Sequence, residues 1–354
     1  MPVFKLPDQD AVRVAHDVLQ RQVAGLLHHA GLPEADAALA ADALVSADLR
    51  GVDTHGVSNM LRLYLDWIRA GTMNPRPNWK LTAETPAAAN MDADHGLGLV
   101  LAPKAMEIAI GKARATGLGM VTVHHGRHLG MAQYHALLAV PHGMIGVCLT
   151  ATGPMVVPTF GREPRLGSNP IAVAVPCAEE PPFVYDAATS VVALNKLLIA
   201  QRLGVPIPPG LVADGDGAPV MSPSPELAWP ARLLPLGSTP ETASHKGYGL
   251  GSTVEILSNV LGGLTFSARP GIKEHNHCVI AINIGAFVDL AAFKATMDEY
   301  VRMLRATPPA AGHERVLVPG QLEWEAEQER RAHGIPLHPE VAAWLDEACA
   351  AAGV

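Results

Sequence analysis

Asp48-Leu-Arg-Gly-Val-Asp-Thr-His-Gly-Val57 stands where a strongly helical pattern stops. Upstream, from Ala35 to Leu49, apolar residues recur at three- and four-residue spacing, the mark of an amphipathic helix. Gly51 ends it. Asp53, the Thr54 hydroxyl and the His55 imidazole follow between Gly51 and Gly56, glycines that admit unusual backbone angles and close approach of another molecule. A histidine so presented is a candidate general acid or base, because its ordinary pKa lies near working pH. Taken alone, a Thr-His pair in a turn is more often structural than catalytic.

Working outward, residues 10–31 read as a helix ending at Gly31 before Pro33, and MLRLYLDWIRAG closes another at Gly71. The connector Thr72–Asn78, rich in Pro and Asn, marks a boundary. Beyond it, GMVTVHH, MIGVCLT, NPIAVAVP, PFVYDAA and HCVIAINI read as strands, and VLAPKAMEIAIGKARATG and MAQYHALLAV as helices. From Leu290 the pattern is helical again, and these last helices are expected to pack on the first ones. No regular strand-helix repeat joins the strands, so the expectation is an α+β fold with a mixed, largely antiparallel sheet. Residues 1–78 and 290–354 would form a helical domain and 79–289 the central sheet domain.

With 354 residues, 49% apolar and 17% charged, the chain suits a globular protein of more than one domain. A net charge of -8 without a Lys/Arg cluster argues against nucleic acid as a partner. No apolar run reaches the roughly 18 residues of a membrane span. The start MPVFKLPDQD does not read as a secretory signal, so cytoplasm is the default location. Cys148, Cys177, Cys278 and Cys349 are widely spaced, which suits reduced, buried thiols.

Several segments invite a ligand. Gly96-Leu-Gly-Leu99 imitates half a dinucleotide fingerprint but follows a polar run instead of a buried strand, so the Rossmann reading is set aside. Lys246-Gly-Tyr-Gly-Leu-Gly251 reads as a glycine-rich helix start, where free N–H groups beside His245 and Lys246 could receive a phosphate or carboxylate; tight helix packing is the alternative. The histidines of His124–His128 and of Glu274–Cys278 lack a metal framework such as H-E-x-x-H, so no metal is expected. His128 is better placed to hydrogen-bond a ligand. Ser168 and Asn169 end a glycine turn after two arginines. Asp186 either caps a following helix or orients an imidazole, and Lys196 follows within two turns.

Taken in order, DLRGVDTHGV, HLG, PRLGSNPIAVAVP, DAATS, SHKGYGLG and VPGQ resemble the malate/L-lactate dehydrogenase family of NAD(P)-dependent oxidoreductases, over nearly the whole chain. The resemblance implies a helical domain built from both chain ends, a central domain with a non-Rossmann nicotinamide site for NAD or NADP, and a homodimer. By the same resemblance His55 would be the acid/base, Thr54 would stand where serine is usual, and Asp186 would orient or charge-balance the histidine. His128, Ser168, Asn169, the turn Asp186-Ala187-Ala188-Thr189-Ser190, His245, Lys246, Gly320 and Gln321 would line the cleft. Arg50 is the nearest arginine for a substrate carboxylate. The chain departs from the family pattern at Asn59, where many members carry arginine, with Arg62 a turn later, and at Asn195, where glycine is common. The implied reaction interconverts a small 2-hydroxy acid, malate- or lactate-like, and its 2-oxo acid. Reduction of a cyclic-imine carboxylate and a catalytically silent ligand-binding homologue are the alternatives.

Overall fold

The computed structural model describes residues 10–224, 231–271 and 274–354. The opening MPVFKLPDQ and part of the SPSPE loop lie outside them. Helices α1 (His16–His29), α2 (Glu34–Leu49) and α3 (Val57–Arg69) come first, preceded by a short strand β1 (Val12–Val14). The strand corrects the reading of 10–31 as one helix. Its valines pair antiparallel with β9 (Ile335–Leu337), Val12 facing Leu337 and Val14 facing Ile335, and α1 starts only after the extended Ala15. A partner more than 300 residues away overrides the local pattern, as strand pairing commonly does.

The sheet has seven strands in the order β2-β3-β4-β8-β5-β6-β7. They are β2 (Lys80–Glu84), β3 (Ala88–Asp92), β4 (Leu118–His124), β5 (Met144–Ala151), β6 (Ile171–Val175), β7 (Phe183–Ala187) and β8 (Asn276–Asn283). Only β3 and β4 run parallel, joined through α4 (Gly98–Thr116); every other neighbouring pair is antiparallel. The expected mixed, largely antiparallel sheet is therefore present. Sequence reading missed β2 and β3, which are short, and β2 is mostly exposed.

Helices lie directly on this sheet because glycine lets them. A Cβ at Gly119 would sit 1.9 Å from the Ala109 carbonyl oxygen of α4, and one at Gly146 2.0 Å from that of Ala136 in α5 (Ala132–Leu137). The main core runs without a break from the α1 and α2 leucines through Met91, Met106 and Val121 to Leu345 of α10 (Pro339–Ala352). A second core gathers Val156, Leu197, Ile207 and Leu233 around α6 (Leu194–Arg202). The remaining helices are α7 (Ser244–Glu255), α8 (Leu290–Arg305) and α9 (Gln321–His333). All four cysteines are buried and unpaired. No described helix is long and apolar enough to cross a membrane.

Candidate active site

The 48–57 segment folds as a 3-10 turn, Asp53–His55, between α2 and α3. Asp48, buried in the last turn of α2, accepts a hydrogen bond from the Val57 backbone N–H at 2.8 Å. Burial, reinforced by Asp53, pushes its carboxyl up to about 8. Gly56 is required by this arrangement, since a Cβ there would lie 2.0 Å from Asp48 Oδ1. Arg330 of α9 braces the turn from below, pairing with Asp53 at 2.5 Å and donating to the Asp48 carbonyl. Asn59 donates to the Asp53 carbonyl at 2.6 Å. It thus closes the turn, and Arg62 lies over the Trp344 ring, 4.6 Å from its centroid.

His55 shares a 2.8 Å hydrogen bond with the Thr54 hydroxyl through Nδ1. A hydroxyl can donate or accept, so either imidazole tautomer is held. Burial first, and then the charge of Lys196, lower its pKa to about 4, leaving the ring neutral near pH 7. Asn195 of α6 donates to the Thr54 carbonyl at 2.6 Å, tying that helix to the turn. Against His55 stacks His128, with ring centroids 5.6 Å apart and planes 9° from parallel. His128 Nδ1 is met by the Tyr64 hydroxyl at 2.7 Å and receives the Gly130 N–H at 3.2 Å. It is therefore an acceptor, and the ring proton resides on Nε2. Burial, then neighbouring His275 and His55, hold this ring well below the usual histidine range. The glycines of Gly96-Leu-Gly-Leu99 have a packing role here: a Cβ at Gly98 would lie 2.3 Å from the Arg127 carbonyl oxygen, beside the His128 backbone.

The other expected residues divide. Arg50 is buried and committed, donating to Gln133 at 2.9 Å and pairing with Glu327 at 2.8 Å. Asp186 lies in β7, eight residues before α6 begins, and does not cap that helix. Instead it caps α5 from across the fold, accepting the Gln133 N–H at 2.9 Å; it hydrogen-bonds no imidazole among the described residues. Burial, with Glu323 adding to it, pushes its carboxyl up to about 7. Asn169 is fully buried and acts as a joint, accepting from Thr152 N–H and donating to the Gly251 carbonyl and Glu255. The Ser168 carbonyl receives Thr189, and the Ser190 hydroxyl donates to the Val192 carbonyl. Ala187 ends β7 and Ala188 opens the loop after it. Both are half-buried. His245 and Lys246 are exposed on the first turn of α7, where Gly247 packs against the Leu236 backbone and Gly249 faces open space. Gly320 and Gln321 line a surface cavity with Phe183, Arg305 and Trp324 that includes none of the His55 group. Sequence reading missed Tyr64, Gln133 and Arg330, which sit in ordinary helical patterns and gain their roles from tertiary contact.

The family model described as malate/L-lactate dehydrogenase matches residues 14–346. A malate dehydrogenase of Pyrococcus abyssi is 40% identical, covering 98% of this chain and 97% of its own. An L-sulfolactate dehydrogenase of Methanocaldococcus jannaschii is 35% identical, covering 93% of this chain and 94% of its own. The solved malate dehydrogenase of Pyrococcus horikoshii superposes with a TM-score of 0.90 at 35% identity, covering 99% of this chain and 98% of its own. The chain belongs to the malate/L-lactate dehydrogenase family and is an oxidoreductase acting on the CH–OH group of hydroxy acids.

Proposed function

We propose that this enzyme interconverts a small 2-hydroxy acid, malate- or lactate-like, and its 2-oxo acid with NAD or NADP, using His55 as acid/base. The observation that carries the reading is the state of His55: neutral, gripped at Nδ1 by Thr54, and with no hydrogen bond at Nε2 among the described residues. A neutral imidazole so oriented takes the proton of a substrate hydroxyl as the alcohol is oxidised, and returns it to the alkoxide on reduction. The nicotinamide, when bound, supplies or accepts the hydride. His128 presents Nε2–H to the same region and can hold the reacting oxygen.

Lys196, whose charge acts on His55, fits the substrate carboxylate better than Arg50 does, because Arg50 is already paired. Asp186 then serves by fixing α5 and Gln133. The nicotinamide cofactor's phosphates suit the first turn of α7, where helix N–H groups, His245 and Lys246 stand beside the open face of Gly249. The reading includes a cytoplasmic homodimer: the thiols are unpaired, and Ile256, Val260, Leu261 and Phe266 form exposed apolar surface after α7.

The test follows absorbance at the nicotinamide band with NADH or NADPH and a panel of oxaloacetate, pyruvate, other 2-oxo acids and a cyclic-imine carboxylate. Turnover of a 2-oxo acid is expected, with H55A losing about 100-fold or more in kcat while still binding cofactor. Turnover of the imine alone, or an undiminished H55A, would overturn the reading.

A further inference from the structure

Outside the His55 group, one cluster of ligating side chains among the described residues stands at the carboxyl ends of the two parallel strands. Asp92 and His124 are register partners, the last residues of β3 and β4, so their side chains share one face of the sheet. His125 would ordinarily point to the opposite face. Its φ of +50° places it in the left-handed region, and its Nδ1 comes back to within 3.1 Å of Asp92 Oδ1. One donor atom from each of the three residues lies within 4.8 Å of the others.

The layer beneath fixes the chemistry. Asn90, two residues before Asp92 on the same face, donates through Nδ2 to the Gly262 carbonyl at 3.0 Å. Its Oδ1 is thereby turned to Thr122 and to His124 Nδ1, each at 3.0 Å. His124 Nδ1 must carry the proton, which leaves Nε2 without one, 3.9 Å from Asp92 Oδ2. An imidazole whose one N–H is held by an oxygen acceptor, leaving the lone pair of the other nitrogen for an ion, is the usual outer-shell arrangement of a metal ligand. Beside the trio, the His95 ring lies 5.4 Å from that of His125, and its buried Nδ1 has no hydrogen-bond partner.

We propose that Asp92, His124 and His125 form a binding site for a divalent transition-metal ion of borderline softness, with Zn2+ as the best match. Two imidazoles and a carboxylate are the donor set such ions take. In a tetrahedral zinc site with bonds of about 2.0 Å, donor atoms stand roughly 3.3 Å apart; here the imidazole nitrogens meet the two oxygens of Asp92 at 3.1 and 3.9 Å and all three donors lie within 4.8 Å, so the ion would draw the side chains slightly together. Water would complete the coordination, since His95 Nδ1 faces Glu274 at 4.0 Å. The bound ion joins the end of β3 to the segment that continues through Gly126 to His128. Sequence reading set the histidines aside because they lack a metal framework such as H-E-x-x-H; the carboxylate lies some 30 residues upstream and is brought in by strand register.

The test titrates tag-free, chelator-treated protein with Co2+ and then Zn2+, following the cobalt visible bands and the stoichiometry. Saturation at one ion per chain is expected, with Zn2+ displacing Co2+. Asp92→Asn and His125→Gln should each weaken affinity at least about tenfold. Asn90→Ala, which keeps all three ligands, should weaken it about 10- to 100-fold, and His142→Ala should not change it. Circular dichroism identifies any variant that does not fold, and the remaining variants then decide. Absence of saturable binding, or binding equal to wild type in folded D92N and H125Q, would overturn the site.

Discussion

Replacing Gly56 by alanine tests the packing that sets the His55 turn. Gly56 has φ -90° and ψ -170°, a conformation open to any residue, so backbone strain plays no part. The added Cβ would meet Asp48 Oδ1 at 2.0 Å, Cγ at 2.4 Å and Oδ2 at 2.6 Å. The carboxyl must move, and it is buried and bonded to the Val57 N–H. At pH 7 Asp48 is mostly protonated, so the lost bond has the worth of a neutral one, about 1 kcal/mol. Overpacking adds about 1 to 3 kcal/mol, giving a total near 2 to 4 kcal/mol.

Urea unfolding reads this as a midpoint lowered by about 1 M, for an m value of about 3 kcal/mol/M. The sharper form is a double-mutant cycle with Asp48→Ala. That variant leaves the Val57 N–H unpaired and is itself destabilised, but it removes all three atoms in the new methyl group's way. Gly56→Ala should then cost under about 1 kcal/mol in the Asp48→Ala background, giving a coupling of about 2 kcal/mol. An equal cost of Gly56→Ala in both backgrounds would show that the Asp48 contact does not set the turn.

Acidification should destabilise the enzyme. Burial keeps His55, His128, His135, His275 and His277 neutral in the fold, whereas the unfolded chain protonates them below its ordinary histidine pKa of about 6.5. Asp48 and Asp186 oppose this, keeping protons in the fold up to about 8 and 7. Near pH 5.5 the unfolded chain therefore holds ~2 to 3 more protons, and stability falls by roughly 3 kcal/mol per pH unit on the way down, with a maximum at pH ~7. A urea-midpoint series from pH 5 to 8 that is flat or peaks at either end would contradict this. Thr54→Ser should retain turnover within a few-fold and Thr54→Val lose about tenfold or more in kcat, read in steady-state kinetics; equal rates would remove the Thr54–His55 hydrogen bond from the mechanism. Arg330→Met should lower stability by about 2 to 3 kcal/mol and reduce kcat, while a variant with wild-type urea midpoint would show that α9 does not brace the turn.

The central strands were legible because apolar and β-branched residues run continuously through 118–124, 144–151 and 276–283, segments largely buried in the sheet. The helices were legible from periodicity and glycine stops. What escaped depended on distant partners. A three-residue strand such as β1 carries too little pattern to compete with the adjoining helix, and only β9 makes it a strand. His55 and Thr54 could be singled out locally, since the turn holds both. Arg330 is 277 residues from Asp53, and nothing around it distinguishes it from Arg331, its exposed neighbour on α9. Asp186 could be read as cap or orienter; its carboxylate accepts an N–H from the first turn of a helix 53 residues upstream, which no local pattern could indicate.

These long-range contacts decide what the local motif can do. The 48–57 turn places an imidazole, but its charge is influenced by parts of the chain the motif does not contain: α6 supplies Lys196 and, through Asn195, holds the Thr54 carbonyl, while α3 supplies the Tyr64 hydroxyl that sets the tautomer of the stacked His128. Lys196 opposes a proton on His55, and a substrate carboxylate seated beside that lysine would cancel part of its charge. On the proposed reading, protonation of His55 is thereby tied to occupancy: the ring rests neutral and becomes easier to protonate once an anionic substrate is in place. Thr54, able to donate or accept, lets the ring serve in both states without moving. With His55 as the proposed acid/base, the charge it must change with the direction of hydride flow is governed by burial and one lysine more than by the Thr-His sequence itself.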